Sequence, residues 1–367
     1  MADAKSPLEQ KLIERILADG PISVADFMQA SLTDKTHGYY TSKQPIGSDG
    51  DFITAPEISQ IFGELIGLWA GDVWHNMGSP KPIILCELGP GKGTLMQDAL
   101  RALKHVPEFL DHVHIHLVES NPYLRDLQRT KLEDIHLSIE WHECLSDLPE
   151  GPVIVIANEF LDALPVQQFQ RKEPHWYERM VGVRQSAGAQ YFEFIINNEP
   201  AQTLDLSHPD IEHAEERAIL EIRPFEKTLL TELSRRSKNA HTCLLMIDYG
   251  HEDDGFGDTL QAVKSHHFSD PLKHIGLSDL TTHVNFARLK AQSLQLGLSC
   301  FGPMSQGAFL MQLGANLRLQ QLLKAATPEQ RNELVSGVSR LVSPDKMGVL
   351  FKVMVVCCAQ LAKPAPF

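Results

Sequence analysis

The run Ile84-Leu85-Cys86-Glu87-Leu88-Gly89-Pro90-Gly91-Lys92-Gly93-Thr94 carries the sharpest chemical signal in the chain. An apolar strand pattern ends in an acidic residue and three alternating glycines, then passes into a helix pattern. Glycines there let the chain turn tightly and let a ligand approach the main chain at the carboxyl edge of a sheet. Two familiar loops fail on these residues. A dinucleotide fingerprint needs G-x-G-x-x-G, and Thr94 stands where the third glycine belongs. A Walker A loop needs Gly-Lys followed by Ser or Thr, and Lys92 is followed by Gly93. A second polar group, Asn158-Glu159-Phe160-Leu161-Asp162, follows the apolar run Val153 to Ala157, on the rim where open α/β sheets bind ligands. Glu57, after Pro56, opens a further helix pattern. For Glu57, Glu159 and Asp162 the plain alternative is a first-turn acid facing a helix dipole. His112, His114 and His116 alternate as if on one strand face. Three ligands on one strand rarely converge on a tetrahedral ion, and with no nearby Cys or acid to complete the set, no metal is expected.

Such residues need a parallel sheet to carry them. After Pro80, short apolar runs alternate with helical patterns, the signature of βαβ units. The predicted strands are Ile83 to Glu87, Val113 to Glu119, Val153 to Ala157 and Leu244 to Asp248, with helices near Thr94 to Leu103, Tyr123 to Leu132 and Pro224 to Ser237. Upstream, two short helices flank Gly20-Pro21, and the second starts at Ser23. The stretch Thr33 to Pro56 is too long and glycine-rich to be only a connector. Ile58, Ile61, Phe62, Leu65, Trp69 and Val73 recur at helical spacing, which predicts one amphipathic helix from Glu57 to about Asn76. Val166 to Phe169 and Trp176 to Val183 read as an inserted antiparallel hairpin, and Glu193 to His213 reads as loop. A helical tail, Met304 to Leu341, precedes a last strand, Val349 to Cys357. The expected organisation is α/β, with an N-terminal helical and loop extension over 1–78 that forms part of the site. A core over 79–367 follows, with insertions at about 165–223 and 257–345.

Composition bounds the function. The 367 residues allow two or three domains of ordinary size. A hydrophobic content of 43% and a charged content of 22% fit a globular chain. The formal charge of −14 would repel a phosphate backbone, so no nucleic-acid partner is expected. The apolar stretch Val353 to Ala362 falls short of the about 20 residues of a membrane helix, so no membrane insertion is expected. Six scattered cysteines without a CxxC pair read as reduced thiols. Met1 to Lys11 mixes both charges and lacks a targeting pattern, which makes cytoplasmic the expected location.

The acidic-x-G-x-G-x-G loop at a first strand resembles the first motif of class I methyltransferases that use S-adenosylmethionine (SAM). In those enzymes the loop wraps the amino-acid end of the cofactor, and an acid ending the second strand holds the ribose hydroxyls. Glu119 matches that position, and a carboxylate can accept from two hydroxyls at once. Further blocks make the chain similar to the MidA-like methyltransferases, relatives of a mitochondrial complex I assembly factor. They are Gly50 to Ser59, Glu87 to Thr94, Asn158 to Pro165, Trp176 to Arg179, Ile247 to Gly250, Gly257 to Ala262 and Asp279 to Val284. Ala55, Lys92 and Asn285 depart from the residues usual in that family, where Ser, Arg and Asp are expected.

The resemblance implies a Rossmann-like methyltransferase with an N-terminal extension, an inserted hairpin and added helical segments. It implies SAM as methyl donor and an arginine of a protein partner as acceptor. In mitochondrial members the partner resembles the large hydrophilic quinone-site subunit of complex I. Cofactor contacts are expected from Thr54, Pro56, Glu87, Gly89, Pro90, Gly91, Gly93, Glu119 and Ser120. Because a guanidinium stays protonated at physiological pH, carboxylates must orient it and let a proton leave. Asn158, Glu159, Asp162 and Glu57 are the expected catalytic group; Asp248, Tyr249, Asp279, Thr281 and His283 are expected at the acceptor. The alternatives are a catalytically silent SAM-binding assembly chaperone and a small-molecule methyltransferase.

Overall fold

Apolar runs long enough to be covered on both faces organise the larger part of the chain. The computed structural model describes residues 5–42, 53–186, 188–201, 211–264 and 267–367. Two compact units divide the chain: Met1–Phe52, Asp162–Lys227 and Asp253–His283 form one, and Ile53–Leu161, Thr228–Glu252 and Val284–Phe367 the other.

The second unit is built on an eight-stranded sheet. Its strands are β1 (Ile83–Leu88), β2 (Val113–Val118), β3 (Ile139–His142), β4 (Val153–Asn158), β5 (Thr242–His251), β6 (Val284–Asn285), β7 (Ser299–Ser305) and β8 (Phe351–Cys357). The order is β7-β8-β5-β4-β1-β2-β3, and β6 pairs with the end of β5. Strands β1 to β5 run parallel, while β8 is antiparallel to both β5 and β7. This is the Rossmann-like α/β arrangement expected from the sequence. Every residue of β1 and β4 is buried, which is why both read as unbroken apolar runs. The order reverses between β1 and β4, so their carboxyl ends border the crevice in which such sheets bind ligands.

Four helices prepare that crevice: α1 (Ala55–Ile58), α2 (Gln60–Asn76), α3 (Thr94–Leu103) and α4 (Pro122–Lys131). Residues 57–76 are thus two helices where one was expected. Ser59 is extended, at φ −158° and ψ 129°, and its hydroxyl accepts from the Ile61 N–H, so it caps α2 and breaks the helix. Along α2, Gly63, Gly67 and Gly71 recur at four-residue steps against α3. A Cβ on Gly67 would stand 2.5 Å from the Ala99 carbonyl oxygen, so the two backbones touch where no side chain fits. Between them Glu64, buried, accepts from Arg101 at 3.0 Å and from Arg318 at 2.7 Å.

The first unit is antiparallel. The expected hairpin is present as Gln167–Lys172 and His175–Ser186, with Ala189–Pro200, Ile219–Ile222 and Ile22–Ser23 completing a five-stranded sheet. Residues 193–200 are therefore strand, not loop. The consecutive polar and exposed residues Asn197, Asn198 and Glu199 break the alternation expected of a strand; residues 202–210 of that stretch lie outside the described residues. Helices Pro7–Asp19 and Val24–Thr33 begin at Ser6 and Ser23, each of whose hydroxyls accepts a backbone N–H three residues on. Within the stretch Thr33 to Pro56, Tyr39–Ser42 and Ala55–Ile58 are helical turns, and residues 43–52, including Gly50 to Phe52 of the first family block, lie outside the described residues. The helical tail resolves into Gln306–Gln312, Ala315–Leu323 and Pro328–Val342, all in the sheet unit. In the eight-stranded sheet β3, β6 and β7 have no counterpart among the expected strands; β3 is short, polar and at the sheet edge.

Gly67→Ala should lower stability. Helix propensity alone would favour alanine by about 1 kcal/mol. A methyl forced onto the Ala99 backbone reverses the sign, for a net loss of roughly 1–3 kcal/mol, read as a lowered midpoint in denaturant. Gly255→Ala, whose added methyl meets nothing within 4 Å, is the control expected to leave the midpoint in place.

Candidate active site

The loop after β1 turns on three left-handed residues: Gly89, Gly91 and Gly93 have φ of 61°, 52° and 81°. Side chains other than glycine are strained there. At Gly89 space is closed as well, since a Cβ would lie 2.6 Å from the Phe160 ring. The Gly93 N–H donates to the Pro90 carbonyl at 2.7 Å, and α3 starts directly after it, with its first N–H groups at the loop. Glu87 sits beneath at 3% exposure. One of its oxygens accepts from the Met96 N–H, while Oε2 is buried with no hydrogen-bond partner among the described residues. Burial pushes the Glu87 carboxyl up to about 8.

Glu119 follows β2 and is 9% exposed. Its Oε1 accepts from the Asn121 N–H at 2.8 Å, and burial raises its pKa against those hydrogen bonds. Gln128 of α4, fully buried, was not anticipated: its amide donates to the Gly91 carbonyl at 2.8 Å and to Glu119 Oε2 at 3.5 Å, and its carbonyl accepts from Trp141 Nε1 at 2.8 Å. One side chain therefore sets the loop and Glu119 in register. A polar residue on the inner face of an amphipathic helix is the signal that could have found it. Ser120 contributes its backbone N–H to the Glu119 carboxylate.

The carboxyl end of β4 supplies the second cluster. Glu159 has φ 48°, a left-handed conformation unusual for a residue with a side chain, and such strain collects at functional sites. Its Oε1 accepts from the Ala55 N–H at 2.7 Å, and from the Asn158 amide at 3.4 Å. Asn158 Oδ1 is buried without a hydrogen-bond partner among the described residues. Glu57 accepts from the Thr94 hydroxyl at the start of α3, and Thr54 opens α1 with its carbonyl bonded to the Glu57 N–H at 2.9 Å. Pro56 is buried beside it. Thr54, Glu57, Thr94 and Glu159 are thus brought to one rim with the glycine loop. Asp248, 1% exposed, spends its oxygens on the Leu161 N–H at 3.0 Å and the Tyr249 N–H at 2.9 Å, so it shapes the rim through backbone. Tyr249 stacks edge-on with Phe351.

The other unit carries Asp162, Asp279, Thr281 and His283. Asp279 accepts from the Tyr40 hydroxyl at 2.9 Å, and burial, then the charges of Asp279 and Asp162, hold that phenol well above its usual pKa. Thr281 accepts from the Gln261 amide at 3.3 Å. The Asp162 carbonyl accepts from the Thr282 N–H at 3.0 Å, and the His283 N–H donates to the Thr259 hydroxyl at 3.0 Å. Asn285, the family departure, caps the next helix by accepting from the Arg288 N–H at 2.9 Å, a role that an amide fills as well as a carboxylate. Of the alternating histidines, His112 closes a helical turn, and His116 meets an acid, Glu140, across the unread strand β3.

A family model described as "Putative S-adenosyl-L-methionine-dependent methyltransferase" matches residues 65–304. The protein arginine methyltransferase NDUFAF7 homolog of Drosophila melanogaster, named mitochondrial, is 37% identical over 97% of this chain and 86% of its own length. Human mitochondrial NDUFAF7 is 35% identical over 94% of this chain and 82% of its own. A crystal structure of a Burkholderia thailandensis protein bound to S-adenosyl-homocysteine superposes with a TM-score of 0.81 at 25% identity, covering 99% of this chain and 96% of that one. The names of the relatives overturn the cytoplasmic location expected from the N-terminal residues: they are mitochondrial proteins. Among the described residues no helix is long and apolar enough to cross a membrane. The orphaned Glu87 oxygen can accept from an ammonium, so the loop fits the amino-acid end of SAM. Loop, sheet order and relatives agree, and the chain belongs to the S-adenosylmethionine-dependent methyltransferase family, with SAM as its cofactor.

Proposed function

We propose that this enzyme methylates an arginine of a protein, and that the protein is a subunit of respiratory complex I met during assembly. The observation that supports it best is the pair Asn158 and Glu159. A buried acceptor oxygen without a donor stands beside a carboxylate held in a left-handed turn. A guanidinium has five N–H donors and no acceptor, so it answers that pair directly. The naming of the relatives as protein arginine methyltransferases supports the same acceptor.

SAM supplies a methyl group on a sulfonium, which an aligned lone pair displaces in line. The residues of this chain prepare that lone pair. Asn158 Oδ1 accepts one guanidinium N–H and fixes the plane of the fork. Glu159 draws the positive charge toward its own side and takes the proton that the attacking nitrogen must lose. Asp162, Asp279, Thr281 and His283 take the acceptor protein's polar groups, while Asp248 and Tyr249 hold the rim in shape. Glu57 steadies the start of α3 through Thr94. Glu87, the three glycines with Pro90, Glu119, Ser120, Thr54 and Pro56 hold the cofactor.

Two measurements test this reading. Glu159→Gln should keep S-adenosyl-homocysteine affinity and lose roughly 100-fold or more in turnover on arginine-bearing complex I subunits, followed by mass spectrometry of the methylated residue. Equal turnover in the variant would remove Glu159 from the chemistry. Glu87 gives a proton linkage. Its native pKa of about 8 lies above the ordinary carboxyl value of 4.5, so between those pH values the unfolded chain binds fewer protons than the native one. Its contribution to stability is lost as pH rises through that window. A cofactor ammonium reverses the preference, so binding near pH 7 should release a proton, seen by calorimetry in buffers of different ionisation enthalpy. Glu87→Gln should abolish the release; if it persists, the ammonium contact is elsewhere.

A further inference from the structure

On the sheet face away from α2 and α3, at the edge distant from the glutamate rim, β2 and β3 bring together two imidazoles and a carboxylate. His116 pairs with Glu140 in the parallel register, and His142 lies two residues beyond Glu140 on the same side of its strand. His116 Nδ1 and His142 Nε2 face each other at 2.8 Å, their rings 5.0 Å apart and tilted by 32°. One ligand atom from each of His116, Glu140 and His142 lies within 4.8 Å of the others, the one such set among the described residues. We infer that these three side chains form a site for a divalent transition ion of the zinc class, with three protein ligands and one position open to water.

The donor set suits that ion. Two imidazole nitrogens and a carboxylate oxygen are the ligands borderline-soft zinc takes, and they do not suit calcium or magnesium, which ask for oxygen alone. Zinc–nitrogen bonds of about 2.0–2.1 Å at a tetrahedral angle place two ring nitrogens about 3.3 Å apart. The present 2.8 Å therefore needs an opening of only about half an ångström, within the reach of side-chain rotation. His116 is 1% exposed, so its ring is fixed by packing and brings a pre-oriented nitrogen to the site. Glu140 is exposed on the outermost strand, which gives the ion a way in and a counter-charge. Arg236, which lies near His116, is already neutralised: it donates to Glu232 at 2.8 Å and to the carbonyls of Pro149, Leu145 and Leu148. The position has a link to the cofactor side, because the His142 carbonyl accepts from the Glu119 N–H at 3.0 Å and from Arg125 at 3.1 Å. An ion here would clip the edge strand to β2 directly behind Glu119.

The test uses the full chain, stripped with a chelator and then titrated with zinc against a chromophoric competitor, and with cobalt(II) for its ligand-field spectrum. The expected result is one equivalent bound and the intense visible bands of a four-coordinate cobalt centre. Glu140→Gln and His142→Ala, both at solvent-reached positions, should each weaken binding at least 10-fold, and the pair should abolish it. His114→Ala, on the same strand face but outside the set, should leave it unchanged. Absence of zinc binding at equimolar protein would overturn the site and leave a hydrogen bond between the two rings. So would an equivalent of zinc that survives in the double variant, since the ion would then sit elsewhere. Circular dichroism of each variant separates loss of ligand from loss of fold.

Discussion

The turn at the end of β1 is the constraint on which the site depends. Three residues in five must lie in the left-handed region, and the first has the Phe160 ring 2.6 Å from where a Cβ would be. Phe160 itself follows Glu159, the left-handed residue ending β4. The two strand ends that border the crevice therefore hold each other: the glycine makes room for the ring, and the ring keeps the glycine loop from relaxing. Glu159 adds a second tie by accepting from the Ala55 N–H, and Glu57 a third through the Thr94 hydroxyl. Each tie uses a backbone group or hydroxyl at the start of a helix, where unsatisfied donors are plentiful. The crevice is thus built from helix ends and strand ends rather than from the interior of any element.

Legibility from the sequence follows burial. β1, β2, β4 and β5 and the helices Thr94–Leu103 and Pro224–Ser237 were readable because doubly covered strands are continuous apolar runs and amphipathic helices keep their period. The glycine loop was readable because left-handed backbone restricts residue type more than any other local demand. The edge strand Ile139–His142 was not, since its alternation of Ile, Glu, Trp and His spans only four residues, too few to stand out as a period. That one omission hid the partner of His116. The break at Ser59 was missed because the apolar spacing runs straight through it, and only the serine's extended backbone and cap reveal it. Gln128 shows in the sequence only as a polar residue on an inner helix face; its role depends on contacts to Gly91, Glu119 and Trp141, which three different elements bring to it.

The buried acids share an electrostatic logic. Glu87 and Glu119 both have raised pKa values, in each case chiefly from loss of water, and among the described residues neither forms an arginine or lysine ion pair, although the charge of Arg125 acts on Glu119 from nearby. Burying a carboxylate without a cation costs more than its few hydrogen bonds return. Glu64 shows the contrast within the same unit, being equally buried and clasped by Arg101 and Arg318. Structural acids here are paired by the fold; the acids near the glycine loop are left for something else to pair.

That distinction explains why a chain of net charge −14 can serve cationic ligands without a cationic counter-surface. The sulfonium and ammonium of the cofactor and the guanidinium of an arginine are all positive, and each asks for a carboxylate whose charge the protein has not already spent. A desolvated, under-compensated acid interacts more strongly with an incoming cation than a solvated one, because water no longer screens the pair. The same desolvation raises the acid's pKa, so the charge is completed only when the ligand arrives. Specificity for a positive group then comes from what the fold withholds from Glu87, whose Oε2 has no partner among the described residues, as much as from the hydrogen bond that it gives the other oxygen.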